Sequence, residues 1–160
     1  MRYNEPATNR DFYRILFSDD SLSAVLRAHI HLEARLNQLI RDAVPRPDEL
    51  PNLPFKQTVQ LGAALGLTSD AIGPLCKLGE LRNQFGHRLD AELTMGNVES
   101  VWKAFSTDAQ QEVRSMYERI PDRLVRGWPS EFDAAEPRLR LIFIALYLDR
   151  VLRAAENTAV

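Results

Sequence analysis

Between Leu22 and Ala43 the apolar residues recur at steps of three and four: Leu22, Val25, Leu26, Leu32, Leu36, Leu39, Ile40 and Ala43, with His29 on the same stripe. A stripe of that period is buried by an α-helix lying against other helices, and not by a strand. The spacing returns after Pro137, in a position where proline suits a first helical turn. There it runs through Leu139, Leu141, Ile142, Ile144, Ala145, Leu148, Val151 and Leu152. Four prolines within residues 45–54 interrupt the pattern. No helix runs through that stretch, which is expected to be an extended connector. No strand alternation and no internal repeat is present. The expected fold is all-α, a single-domain helical bundle of five to seven helices over 1–160, with a core bundle about 9–90 and a C-terminal helix about 137–156.

The remaining helices follow from caps and stripes. Thr8 or Asn9 caps a short helix through Phe12, Ile15 and Leu16, with Asp11 in its first turn. Ser18 or Asp20 opens the long one. A third helix covers roughly 55–66, with Phe55, Val59, Leu61, Ala63 and Leu65 as core positions and Gly66 as its end. Thr68, Ser69 and Asp70 start a fourth. One of its stripes is Ile72, Leu75, Cys76 and Gly79, continuing into Arg82, Asn83 and Gly86. A second is Leu78, Leu81, Phe85 and Leu89. A helix apolar on two sides is expected to be central. A short helix over Val98–Phe105 follows, then one capped by Ser106, Thr107 or Asp108 through Val113, Met116, Tyr117 and Ile120. Trp102 and Trp128 are expected to pack rather than to stack on bases.

Bulk properties narrow the function. The net charge of −2 gives no general attraction to nucleic acid, though a local patch stays possible. Arginine supplies 17 of the 20 basic residues. Its planar fork suits phosphate and carboxylate, although a GC-rich genome produces the same bias. Cys76 is the one cysteine, so no internal disulfide forms, and a reducing compartment, the cytoplasm, is expected. No secretory signal is evident, and the apolar run Leu141–Leu148 is too short to span a bilayer. No membrane association and no cofactor are expected.

The polar group that interrupts this core-like pattern is Arg82-Asn83-Gln84-Phe85-Gly86-His87. Chance supplies roughly 0.3 Arg-to-His pairs at this spacing in a shuffled chain of the same composition, and ~0.014 once asparagine must follow the arginine. Asn83 and His87 share a helix face. Arg82 and His87, five residues apart, diverge by about 140° on an ideal helix. One pocket therefore takes both only if the helix distorts near Gly86, or if two chains pair their faces in a symmetric dimer.

The segment from Leu81 to His87 resembles the Arg-Asn-x-x-x-His signature of HEPN-like helical domains. The stretch Phe55–Leu67, with its Leu-Gly turn, is similar to the mannitol operon repressor (MltR-like) family, as is the long helix from Leu22 to Ile40. The likeness covers about residues 20–90. It implies an all-α bundle, often dimeric, and for many members metal-independent RNA cleavage in toxin–antitoxin or defence systems. Carried onto this chain, it makes His87 the general acid or base on the ribose 2′-hydroxyl or the leaving oxygen. Arg82 would stabilise the charged phosphorane, and Asn83 would orient the site. The implied partners are a second copy of the chain, an RNA substrate, and an antitoxin or regulator protein. The tyrosine that one toxin subgroup carries two residues after the histidine is Leu89 here, which separates the chain from that subgroup and from adenylylation. The alternative that the resemblance offers is transcription regulation of the mannitol repressor type, without catalysis and through protein partners. No basic helix-turn-helix is present, so sequence-specific DNA binding is not expected.

His29 and Glu33 have the spacing of two metal ligands on one face, but no third ligand is near and His31 points elsewhere, so no metal is expected. A buried Glu33 needs a partner, and Arg82 on the neighbouring helix is the one proposed to be oriented by it. Cys76 reads as a small buried hydrophobe rather than a nucleophile. On the residues alone, Arg82, Asn83 and His87 fit a helix C-terminus, a catalytic site or a binding surface.

Overall fold

Seven α-helices form in a computed structural model that describes residues 8–18, 20–88, 90–122 and 124–158. They are α1 (Asn9–Ser18), α2 (Ser21–Ala43), α3 (Phe55–Ala64), α4 (Ser69–Gly86), α5 (Met95–Trp102), α6 (Thr107–Glu118) and α7 (Pro137–Thr158). Among the described residues there is no strand. The protein is an all-α helical bundle.

The helices start where the sequence supplies caps. Thr8 Oγ1 accepts from the Asp11 amide at 3.3 Å. Asp20, rather than Ser18, caps α2 by accepting from the Ser23 amide at 2.9 Å. Thr68 caps α4, and Ser106 caps α6. Thr94 and Asn97 form a reciprocal capping box at the start of α5. The stop at Gly66 is a Schellman motif: Leu67 N–H donates to Gly62 O (2.9 Å) and Gly66 N–H to Ala63 O (3.1 Å). Gly66 has φ +105°, a conformation that L side chains avoid, and Leu67 behind it is buried.

Several expectations are corrected. The connector over 45–54 is not extended throughout, because Pro47–Glu49 forms one 3-10 turn that Arg41 braces through Asp48. The inner face of α3 is Thr58, Val59 and Gly62, while Ala63 is half-buried and Leu65 exposed. A helix turns 100° per residue, so the odd-numbered series from Val59 to Leu65 could not share one face. Gly62 lets α3 approach α2: a Cβ there would lie 2.9 Å from Leu36 Cδ1. Ala43 is exposed at the frayed end of α2. Leu89 lies outside the described residues.

α2 and α7 form the most extensive helix pair, and α4 packs on α2, α3, α5 and α7. The core is a continuous apolar cluster that includes Leu32, Leu36, Leu75, Leu78, Ile142 and Leu148. Trp102 is buried against Phe132, and Trp128 stacks on Phe17, so both tryptophans pack as expected. Arg138 on α7 donates to the Leu16 and Phe17 carbonyls, which α1 leaves unpaired at its C-terminus.

A buried polar cluster lies inside the α2–α7 contact. Asp149, 2% exposed, accepts from His31 Nε2 at 2.6 Å, Arg35 Nε at 3.1 Å and Arg153 Nε at 2.9 Å. Burial by itself would raise the Asp149 carboxyl. The His31 hydrogen bond and the charges of His31, Arg35 and Arg153 outweigh it and hold the carboxyl below its usual range. Phe12 of α1 stacks on the His31 ring at 3.7 Å. Removing the carboxylate takes from buried His31 its partner and from Arg35 one of its two carboxylates, Glu156 being the other, so Asp149→Ala is expected to cost about 3 kcal/mol. The melting temperature should drop by roughly 10 °C. Urea unfolding measures this, and a variant within about 1 kcal/mol of wild type would show that the cluster does not hold the helix pair.

Candidate functional site

A cleft of about 390 Å³ opens between α2, the start of α3 and the second half of α4. α2 contributes His29 and Glu33 from successive turns. The Pro-rich connector and the first turn of α3 supply Leu53, Pro54, Phe55 and Lys56, and α4 supplies Cys76, Gly79, Glu80, Arg82 and Asn83. The wall is fixed locally. Thr58 is buried and its hydroxyl donates to the Pro54 carbonyl at 3.3 Å, which holds the connector against the first turn of α3. Gly79 lets Phe55 lie directly on α4, since a Cβ at that position would be 2.7 Å from Phe55 Cδ1.

The predicted residues divide across this geometry. Arg82, Asn83 and Glu33 meet at the cleft, and His87 does not line it. Arg82 and Asn83 are exposed, and Arg82 Nη1 donates to Asn83 Oδ1 at 3.2 Å. α4 stays helical through Gly86, whose φ is not positive, and His87 is its exposed C-cap residue with φ −109° and ψ 0°. The helix does not distort at Gly86, so within one chain Arg82 and His87 keep their divergent directions. Glu33 does not form a direct ion pair with Arg82 among the described contacts. Burial raises the Glu33 carboxyl above its usual range, and the Arg82 charge opposes that rise.

His29 is buried in the cleft wall, in keeping with its place on the apolar stripe of α2. It is 4% exposed and packs beside the Phe55 ring, with centroids 4.3 Å apart. Its Nδ1 is 3.9 Å from Glu33 Oε2, too far for a hydrogen bond. Burial, with the Arg82 charge added, lowers its pKa from 6.5 to about 4. The imidazole is therefore neutral at physiological pH. Cys76 is half-buried, and burial raises its thiol above the usual value, which disfavours the nucleophilic thiolate. Among the described residues no three metal-ligating side chains gather. Lys56 and Phe55 were missed as site residues. The available signal was the row of prolines, which fixes the chain just before them.

No protein-family model, no curated protein and no solved structure matches the chain.

The buried, neutral His29 links stability to pH. The unfolded chain takes up this proton near pH 6.5 and the folded chain only near pH 4. Between those values the unfolded state binds more protons, so stability falls as pH drops through the window. Wild type is expected to lose about 2 kcal/mol more than His29→Gln between pH 7 and pH 4.5. Denaturant unfolding at several pH values reads the difference, which also cancels the opposite contribution of Glu33. Parallel stability curves for the two proteins would contradict the assignment.

Proposed function

We propose that the protein is a HEPN-type, metal-independent endoribonuclease that works as a homodimer through Arg82, Asn83 and His87. The observation that carries this reading is the state of Arg82. It is exposed at a cleft, is held by Asn83, and has no ion pair among the described residues. Its remaining N–H groups are free to bind a phosphodiester in the paired geometry that guanidinium favours. His87 is exposed one turn further along the same helix.

In this reading a ribose 2′-hydroxyl attacks the adjacent phosphorus and the P–O5′ bond breaks. Histidine removes the 2′ proton or delivers a proton to the departing O5′. The products are a 2′,3′-cyclic phosphate and a 5′-hydroxyl. Arg82 stabilises the charge that builds on the phosphorane oxygens. Because Arg82 and His87 diverge on a regular helix, a complete site takes Arg82 from one protomer and His87 of the partner subunit.

A second reading is a regulatory protein of the mannitol operon repressor type that acts through protein partners without catalysis. The observation favouring it is that His87 is an ordinary helix C-cap outside the cleft.

RNA cleavage in EDTA separates the two. Wild type should cleave, while Arg82→Ala and His87→Ala should each lose at least about 100-fold. Mixing the two inactive variants should restore about a quarter of the wild-type sites, because half of the dimers are mixed and each has one intact site. Cleavage that survives His87→Ala, or no cleavage of varied RNAs by wild type, would end the nuclease reading. Absence of complementation would overturn the site shared between protomers.

A further inference from the structure

The cleft holds more binding chemistry than RNA cleavage by Arg82, Asn83 and His87 uses. His29 is buried in its wall, yet neither ring nitrogen has a hydrogen-bond partner among the described residues. Those nitrogens are not sealed from solvent, so a ligand in the cleft can meet them with hydrogen bonds that water otherwise makes. Two cations at the cleft, Lys56 and Arg82, have no ion pair among the described residues. The acid beside them, Glu80, is already taken by Lys77 at 2.8 Å. The volume of about 390 Å³ falls within the range of small-molecule sites.

We propose that this cleft binds a phosphate monoester that carries a polar ring, the chemistry of a mononucleotide. The phosphate lies between Lys56 and Arg82, where an arginine fork and a point charge together match its two negative charges. The polar edge of the ring or its sugar hydroxyls reach His29 and Glu33, which supply the hydrogen bonds that these groups lack within the protein. Phe55 and Pro54 cover the apolar face. The same chemistry is offered by a free nucleotide and by the 5′-phosphorylated end of an RNA strand. The inference shares Arg82 with the nuclease reading but does not depend on cleavage, because His87 lies outside the cleft.

Calorimetric titration of the His87→Ala protein keeps the two claims apart, since that variant lacks the proposed acid–base residue and retains the cleft. Four ligands are compared: 5′-mononucleotides, inorganic phosphate, a short RNA with a 5′-phosphate, and the same RNA with a 5′-hydroxyl. At least one 5′-phosphorylated ligand should bind one per chain and more tightly than inorganic phosphate. Saturation by the mononucleotide identifies a free-nucleotide site, and saturation by the 5′-phosphorylated RNA alone identifies a strand-end site. Lys56→Ala, at an exposed position that leaves the fold intact, should weaken binding about tenfold, as should Arg82→Ala. His29→Gln should weaken nucleotide binding while leaving inorganic phosphate unchanged. Absence of saturable binding to folded protein would overturn the proposal. So would equal affinity for inorganic phosphate and nucleotide, or binding indifferent to both Lys56→Ala and Arg82→Ala.

Discussion

The carboxylate of Asp149 is the constraint on which the arrangement of this bundle depends. Apolar surface drives α2 against α7, but apolar packing alone tolerates slippage by a turn. A buried carboxylate of α7 that must meet both His31 and Arg35 of α2 does not. Sliding α2 along α7 by one turn would leave charges buried and unpaired, at a cost of several kcal/mol. The cluster therefore sets the axial position of α2. Its satisfaction is imperfect, since His31 Nδ1 is buried without a partner among the described residues.

The cleft is placed by the same helix. His29 and Glu33 form one i, i+4 pair on α2, and His31 and Arg35 form another, two residues along. Two residues turn a helix by about 200°, so the pairs face opposite sides. One pair faces α7 and meets Asp149. The other faces α3 and α4, meets no comparable partner and becomes part of the cleft wall. One polar pair thus locks the register of α2, and the opposite pair is left open by that register. Arg82 reaches the second pair across the cleft, and its charge acts on both His29 and Glu33.

Local physics made much of this legible. Caps at Thr8, Asp20, Thr68 and Ser106, the glycine stop at Gly66 and the three-four stripes all act within a few residues, so a linear reading finds them. Contacts between distant residues were hidden. Asp149 lies 118 positions from His31, and within the last helix it reads as one charge on an apolar stripe. The inner face of α3 was misjudged because Gly62, which the pattern treats as a gap, is the point of closest approach to α2. Lys56 gave no periodic signal, since its place at the cleft comes from the connector before it. Glu33 and Arg82 line one cleft, but no direct ion pair joins them among the described residues.

The remaining tension lies along α4. A regular helix puts Arg82 and Asn83 at the cleft and His87 at its exposed C-terminal end, so the sequence motif is contiguous while its chemistry is split. Gly86 could have released this by bending the chain, but it remains helical with open space around its Cβ position. Gly86 is the last helical residue of α4, and among the described residues nothing lies within 4 Å of its Cβ position. A surface that leaves room for another backbone is what a glycine provides at a subunit seam. The exposed residues Asn83, Gln84, Gly86 and His87 form the face to examine for a second copy of the chain, while Phe85 between them packs into the core. The His29 cleft next to it is complete within one protomer.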